Sequence, residues 1–457
     1  MFNDTICALA TAAVESGIGI IRISGPEAVQ IASKFIRSKS GKAVDISKSH
    51  QVKYGFVYSE NDPLDEVLVI TMLGPKSYTG EDTVEIDYHG GVLMMKKIID
   101  VALNNGCRLA EPGEFTKRAF LNGRIDLSEA EAVGDLITSE NEFALKASIN
   151  QLRGSVSDNI KRYRAQILED LAYIEAGLDD PEHIDISGFT GTLSEHITSI
   201  KNDLSYMISS ADDGKMLKEG IKTVILGKPN AGKSSLLNSL VGTDRAIVTD
   251  VAGTTRDTLE EHINLKGVSL TIIDTAGIRD TQDTVEKIGV ERALEAANNA
   301  DLIIYVVDSS IRLDESDYKI IEKIRDRKCI VLLNKTDLIQ ILDQKELEEL
   351  TGKKVIPFSA KTSVGIDKLE SEIHELFFSN SISFNDQIII TNLRHKNCLI
   401  NAEGSLNEVL NSINLGLPED FFTIDLMHAY EELGYILGEE VSEDLINEIF
   451  SKFCMGK

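Results

Sequence analysis

The sequence predicts a multidomain protein of mixed α/β and α class. An α+β N-terminal domain comes first, and a discontinuous helical domain is interrupted by an inserted α/β domain. Three observations carry this reading. Residues 1 to about 120 alternate short apolar strands with helices. From 127 to 177, and again from about 390 to the end, alanine, leucine and isoleucine recur at helical spacing among charges. Between these stretches the β-branched run Val224-Ile225-Leu226 leads into a turn, Gly227 to Gly232, and then into a helical run from Leu236.

In the first region, Gly17 to Ser24 reads as a strand stopped by Gly25-Pro26, with a helix from about Glu27 to Ile36. Val67–Met72 is a second strand. A third, within Gly80–Gly91, shows period-2 alternation and leads into a helix near Val92–Asn104. Gly17-x-Gly19 lacks the third glycine of a dinucleotide fingerprint. From Leu127 to Gly177 no proline intervenes, which implies long antiparallel helices. Asp179-Asp180-Pro181-Glu182 breaks them, and helix resumes over about Leu193–Leu217. After Asn392, Gly416-Leu417-Pro418 is a loop, and Thr423 through Cys454 reads as two helices. Neither helical piece has enough apolar faces for its own core, so the two are expected to pair. The predicted boundaries are 1–120, 121–217, 218–380 and 381–457.

Bulk properties exclude several classes. The 457 residues carry 47 Lys+Arg against 74 Asp+Glu, a formal charge of −27. So acidic a chain is not a general polyanion binder, and any nucleic-acid contact must use a local patch or a partner's surface. The five cysteines lie far apart with no C-x-x-C, which argues against a disulfide framework or zinc site and for a reducing compartment. With no basic n-region and no membrane-length apolar run, a cytoplasmic protein without membrane association is expected.

The stretch Gly227-Lys-Pro-Asn-Ala-Gly-Lys-Ser234 has the G-x-x-x-x-G-K-[ST] pattern with a strand before and a helix after. Its glycines let successive N–H groups converge on one anion, and the helix start adds positive potential. Asn230, Ala231, Gly232, Lys233, Ser234 and Ser235 are therefore candidate nucleotide contacts, Lys233 for the β/γ-phosphates and Ser234 for Mg²⁺. Four further stretches follow in order. Asp274-Thr275-Ala276-Gly277 supplies a carboxylate near Mg²⁺ and a glycine N–H near the γ-phosphate. Asn334-Lys335-Thr336-Asp337 offers an aspartate for guanine N1–H and N2–H₂, and Ser359-Ala360-Lys361 a backbone N–H for guanine O6. Between the phosphate loop and Asp274 lies Gly253-Thr254-Thr255-Arg256-Asp257, a polar switch with a threonine for Mg²⁺. Together they define a Ras-like P-loop G domain that binds and hydrolyses GTP. Ile278 follows Gly277, so the water-orienting glutamine of Ras-like proteins is missing. Asn230 could bring a monovalent cation to the phosphates in place of an arginine finger, or could simply shape the loop.

These motifs, the switch Gly253-Thr254-Thr255-Arg256-Asp257, the G domain set within helices and the terminal Cys454-Met455-Gly456-Lys457 together resemble the MnmE (TrmE) family of tRNA-modifying GTPases. Asp4-Thr5-Ile6, Gly19 to Gly25 and Pro112-Gly113-Glu114-Phe115 are also similar to that family. The resemblance covers essentially the whole chain. It implies an N-terminal tetrahydrofolate-binding domain that forms a homodimer, and G domains that pair when potassium binds. It also implies a heterotetramer with an FAD-dependent partner, MnmG (GidA). That complex would build carboxymethylaminomethyl or aminomethyl groups on C5 of the wobble uridine, position 34, of tRNA. The one-carbon unit would come from 5-formyl- or 5,10-methylene-tetrahydrofolate.

Residue by residue, the resemblance implies that Asn230, Thr249, Val251 and Thr254 hold K⁺, and that Ser234 and Thr255 hold Mg²⁺. Asp250, Ala252 and Gly253 belong to the same nucleotide loop. Glu286 would orient the attacking water, although its bare context reads as an exposed glutamate at a helix start. Arg279 would act in G-domain pairing. Arg22, Glu85, Arg124 and Lys457 fall at the folate positions; Arg124 stands where a lysine is expected, keeping charge but changing geometry. Read without the resemblance, Arg22 and Glu85 could equally be a strand pair, and Arg124 a surface charge. Cys454 has either a chemical or positioning role at that site, or a packing role. The competing reading is a GTP-dependent RNA or ribosome assembly switch without chemistry of its own, which would carry a basic RNA-binding appendage.

Overall fold

The computed structural model describes residues 3–139, 141–180, 182–183, 188–241, 261–265, 268–273, 297–362, 364–377, 388–454 and 456–457. The chain forms two compact units. One comprises Met1–Gly134, Gln151–Ser194 and Gly404–Lys457; the other comprises Asp135–Asn150 and Glu195–Glu403.

The first unit contains a seven-stranded sheet: β1 (Ile6–Leu9), β2 (Gly19–Ser24), β3 (Ile36–Arg37), β4 (Gln51–Ser59), β5 (Asp62–Met72), β6 (Thr83–Tyr88) and β7 (Arg108–Leu109). Its order is β3-β4-β5-β6-β2-β1-β7, antiparallel except for β1 beside β7. Alternation along β2 and β6 sends Ile21, Ile23, Val84 and Ile86 into a core with α1 (Ala28–Phe35) and α2 (Val92–Asn104). Arg22 and Glu85, directly opposite each other in the register, take the other face. The sequence reading found β2, β6 and part of β5. It missed β1, β3 and β7, which are too short to show a period, and β4, where Gly55 interrupts the pattern.

A buried ion cluster fastens α3 (Glu114–Leu121) to the sheet. The Arg118 side chain is fully buried and donates to the carboxylates of Asp4 at 2.8 Å, Glu114 at 2.9 Å and Glu81 at 3.3 Å. Arg108 adds contacts to Asp4 at 2.7 Å and Glu114 at 2.6 Å.

The predicted run from Leu127 is three helices, α4 (Leu127–Thr138), α5 (Glu142–Leu152) and α6 (Ser155–Asp179). Next come α7 (Phe189–Glu219) and α8 (Lys233–Val241), then α9 (Glu315–Ile324), α10 (Gln344–Thr351) and α11 (Ile366–Phe377). The last three are α12 (Leu393–Asn414), α13 (Asp420–Leu437) and α14 (Glu443–Ser451). Within the first unit α6 packs on α13. Arg164 stacks on the Tyr430 ring at 4.0 Å and reaches Glu439 at 2.6 Å. Gly434 makes room, since a Cβ there would sit 3.0 Å from the guanidinium. The segment after α14 then returns to the sheet. Gly113 N–H donates to the Cys454 carbonyl at 3.3 Å, and Phe115 N–H to that of Lys457 at 3.2 Å. Gly456 is buried at φ 91°, where a Cβ would overlap the Leu9 carbonyl, so the tail can lie this close only with glycine.

In the second unit the sheet runs β13 (Val355–Pro357), β12 (Cys329–Asn334), β11 (Leu302–Asp308), β8 (Ile221–Leu226), β10 (Val268–Ile272), β9 (Glu261–Leu265). All neighbours are parallel except β9 and β10. Its central strands are buried along nearly their whole length, as expected of a parallel sheet covered on both faces. Leu236, Leu237, Leu369 and Ile373 pack on one side; Ile320, Ile321 and Leu347 pack on the other.

Candidate functional site

The phosphate loop leaves β8 at its C-terminal end and enters α8, so its N–H groups and the helix start face the same space. Gly227 (φ 153°), Asn230 (φ 58°) and Gly232 (φ 102°) shape the loop. A Cβ at Gly227 would lie 2.5 Å from the Val306 carbonyl, and one at Gly232 would collide with Asn334. Lys233 Nζ donates to the carbonyls of Gly227 at 2.7 Å and Lys228 at 2.9 Å, which holds the ammonium over the loop.

The stretches expected to recognise the base converge beside it. Asn334 ends β12; its amide donates to the Ala231 carbonyl at 2.8 Å and its oxygen accepts from Ala360 N–H at 3.2 Å. One side chain thus joins three sequence-distant loops. Asp337 accepts from Ser359 Oγ at 2.9 Å. Gly232, Ser235, Asn334, Lys335, Asp337 and Lys361 border a cavity of about 810 Å³. Lys335 (φ 63°) is held by Asp308 at 2.6 Å, a partner that sequence reasoning missed. Burial works to raise the Asp308 pKa, but Lys335 and Ser310 outweigh it and hold the carboxyl below its usual range.

A second cluster lies in the first unit. Arg22 donates to Glu85 at 2.8 Å and to the Gly456 carbonyl at 3.2 Å. The Arg22, Arg124 and Lys457 charges approach the Tyr78 ring at 5.3, 5.0 and 5.6 Å. Arg22 also lies 5.6 Å from the Phe115 ring. Burial and then Arg22 lower the Lys457 pKa, with Glu85 opposing. Three cations around one aromatic ring suit an anionic, planar ligand. Cys454 is exposed, whereas Cys7, Cys107, Cys329 and Cys398 are buried, so packing does not account for it.

Comparison with known proteins bears on the whole chain. The family model for the MnmE helical domain matches residues 127–454, and that for the GTP-binding protein TrmE N-terminus matches 5–124. A tRNA modification GTPase MnmE from Lachnoclostridium phytofermentans is 54% identical over 458 residues, covering 100% of both chains.

The chain belongs to the MnmE (TrmE) family.

A second MnmE, from Clostridioides difficile, is 48% identical over 100% of this chain and 99% of that one. The G domain of the T. maritima FeoB iron transporter is 30% identical over 34% of this chain and 97% of that chain, with a TM-score of 0.26. As a member of the MnmE family, the protein is a GTP hydrolase with an N-terminal TrmE domain, a helical domain in two pieces and a Ras-like G domain.

Of the residues expected in an MnmE nucleotide site, the structure gathers Asn230, Ala231, Gly232, Lys233, Ser234 and Ser235 with Asn334, Lys335, Asp337, Ser359, Ala360 and Lys361. Thr249, Asp250, Val251, Ala252, Gly253, Thr254, Thr255, Asp274, Thr275, Ala276, Gly277, Arg279 and Glu286 lie outside the described residues. The expected folate residues Arg22, Glu85, Arg124 and Lys457 come together. Arg22 and Glu85 are also a strand pair, so the plainer reading of them holds alongside the functional one. Tyr78 and Phe115 were missed as site residues. Phe115 lies in the motif Pro112-Gly113-Glu114-Phe115, but an aromatic in a loop or at a helix start gives no sign of which cations it meets. No helix among the described residues is long and apolar enough to cross a membrane.

Proposed function

We propose that this GTPase is activated by potassium and acts, with a flavoprotein partner of the MnmG (GidA) kind, on C5 of the wobble uridine of tRNA. A tetrahydrofolate derivative supplies the one-carbon unit. The observation that carries the folate part is the gathering of Arg22, Arg124 and Lys457 around Tyr78, with Glu85 on Arg22. Glu85 suits the donor edge of a pterin, and the cations suit a glutamate tail. Exposed Cys454 lies three residues from Lys457, at the same end of the chain. The domain division we favour is 1–120 for folate and dimerisation, 121–217 and 381–457 for the helical domain, and 218–380 for the G domain. A homodimer is supported by the exposed apolar residues Val52, Tyr54 and Leu68 on one sheet face, with Tyr54 and Leu68 directly opposite.

In the G domain, Asn230, with Thr249, Val251 and Thr254, would hold K⁺, and Ser234 with Thr255 would hold Mg²⁺. The left-handed backbone of Asn230 at the exposed rim of the loop fits a ligand role for its amide oxygen. Cations there supply positive charge against the charge that develops on the phosphates during hydrolysis. Lys233 binds the phosphates, Glu286 orients the attacking water, and Arg279 serves G-domain pairing. GTP turnover is expected to be at least about tenfold faster in KCl than in NaCl at equal ionic strength. Equal rates in the two salts would remove potassium from the mechanism.

Mass analysis of nucleosides from bulk tRNA tests the modification reading. Deleting the gene should abolish a C5-aminomethyl-type uridine, and the wild-type gene should restore it. Arg22→Ala and Cys454→Ser should fail to restore it. An unchanged profile on deletion would favour a GTP-dependent assembly switch.

A further inference from the structure

We infer that Lys228 is a positioning residue for GTP, tying the phosphate loop to the N-terminus of α9 and so setting the direction of Lys233. This deepens the GTPase reading of the same site and rests on it. The G-x-x-x-x-G-K-[ST] pattern leaves position 228 open, so nothing in the motif singles it out.

The geometry does. Lys228 Nζ lies 2.6 Å from an Asp317 oxygen and 3.0 Å from Asp314. The Asp317 side chain is only 2% exposed. It accepts at 2.9 Å from the hydroxyl of Tyr305, which is fully buried on β11. Asp314 and Asp317 also form the capping box of α9: Asp314 accepts from Ser316 N–H at 2.9 Å, and Asp317 accepts from Asp314 N–H at 2.9 Å. Lys228 therefore meets two carboxylates whose own positions the helix cap and the sheet already determine.

The other end of the residue faces the chemistry. The Lys228 carbonyl, with that of Gly227, accepts from Lys233 Nζ. Gly227 is pressed against the Val306 carbonyl of β11. The two peptide groups from which Lys233 hangs are thus anchored by backbone packing at Gly227 and by an ion pair at Lys228. Burial works to lower the Lys228 pKa, but Asp317 and Asp314 outweigh it, so the side chain stays a cation. Releasing it lets the loop carbonyls turn, and Lys233 then no longer meets the phosphates pre-aimed.

The test is steady-state GTP hydrolysis in KCl by the full-length protein and its Lys228→Met, Lys228→Arg and Asp317→Asn variants, with GDP affinity measured alongside. Lys228→Met is expected to raise KM for GTP and Kd for GDP about tenfold while kcat stays within about threefold, the loss of one charge-assisted contact. Lys228→Arg should restore both constants, because a guanidinium can bridge the same two carboxylates. Asp317→Asn, which keeps a partner for Tyr305, should shift KM in the same direction and carries the test should Lys228→Met not fold. Unchanged KM and Kd in both Lys228→Met and Asp317→Asn would overturn the inference. So would a fall in kcat alone, the mark of a residue that only maintains the folded fraction. Absence of GTP turnover in the wild type would instead overturn the nucleotide reading, and this inference with it.

Discussion

Asp337→Asn is expected to convert this GTPase into an enzyme that prefers xanthosine triphosphate. Asp337 borders the nucleotide cavity and is oriented by Ser359, whose hydroxyl donates to one carboxylate oxygen. That leaves acceptor capacity for the two donors on guanine's edge, N1–H and the 2-amino group. Asparagine keeps the size and can keep the Ser359 contact, but it sets an NH₂ donor against a donor. Two charge-assisted bonds are lost and one becomes a clash of like polarity, so kcat/KM for GTP should fall about 10²- to 10⁴-fold. Xanthine carries a carbonyl where guanine carries the amino group, so the same variant should turn over xanthosine triphosphate more efficiently than GTP. Competition between the two nucleotides in steady-state assays measures this. A variant within threefold of wild type on GTP would show that Asp337 does not read the base.

Arg118→Met should be the most destabilising single change in the first unit, at about 3–5 kcal/mol. Arg118 is wholly buried and is shared by Asp4, Glu114 and Glu81. Removing it leaves Glu114, whose side chain is 6% exposed, with Arg108 as its remaining cation. Hydrogen exchange of the β1, β6 and α3 amides, or the thermal transition of the N-terminal unit, reads the loss. Its pH dependence follows from the sign of the shifts. Burial works to raise the pKa of both Glu114 and Asp4, but Arg108 and Arg118 outweigh it and hold both carboxyls below their ordinary values of 4.5 and 3.8. A depressed folded-state pKa means stability that is present above those values and lost as pH falls through the folded ones. The wild-type unit should therefore loosen in acid below about pH 4. In Arg118→Met the carboxylate is already poorly compensated, so the gap between variant and wild type should narrow as pH falls. A constant gap from pH 7 to pH 3 would show that the cluster's charge contributes nothing.

The legible parts of this molecule were those where chemistry is local. The turn from Gly227 to Ser234 needs its glycines and its lysine at fixed offsets, because a phosphate must be met by consecutive peptide groups. The spacing therefore announces the site before any fold is known. Asn334, Asp337 and Ser359 were legible for the same reason, each lying at or within three residues of the end of a buried apolar strand. Helices α6, α7, α12 and α13 were visible because they run long enough for a 3.6-residue period to repeat. The two-residue strands β3 and β7 show no period at all, and β4 exposes Val52 and Tyr54 on its open face, which masks the alternation of inside and outside.

By itself, then, the sequence determined the nucleotide and the discontinuous helical layout, and it named the charged residues Arg22, Glu85, Arg124 and Lys457 that come together in the first unit. Only tertiary structure decided what those residues meet. It put Tyr78 and Phe115 beside Arg22, brought the chain's last residues to the sheet through Gly456, and set Asp308 under Lys335 and Asp317 under Lys228. Each of these is a contact between residues far apart in the chain. Their formation depends on burial and packing, which bring distant residues together, and no spacing along the sequence encodes that.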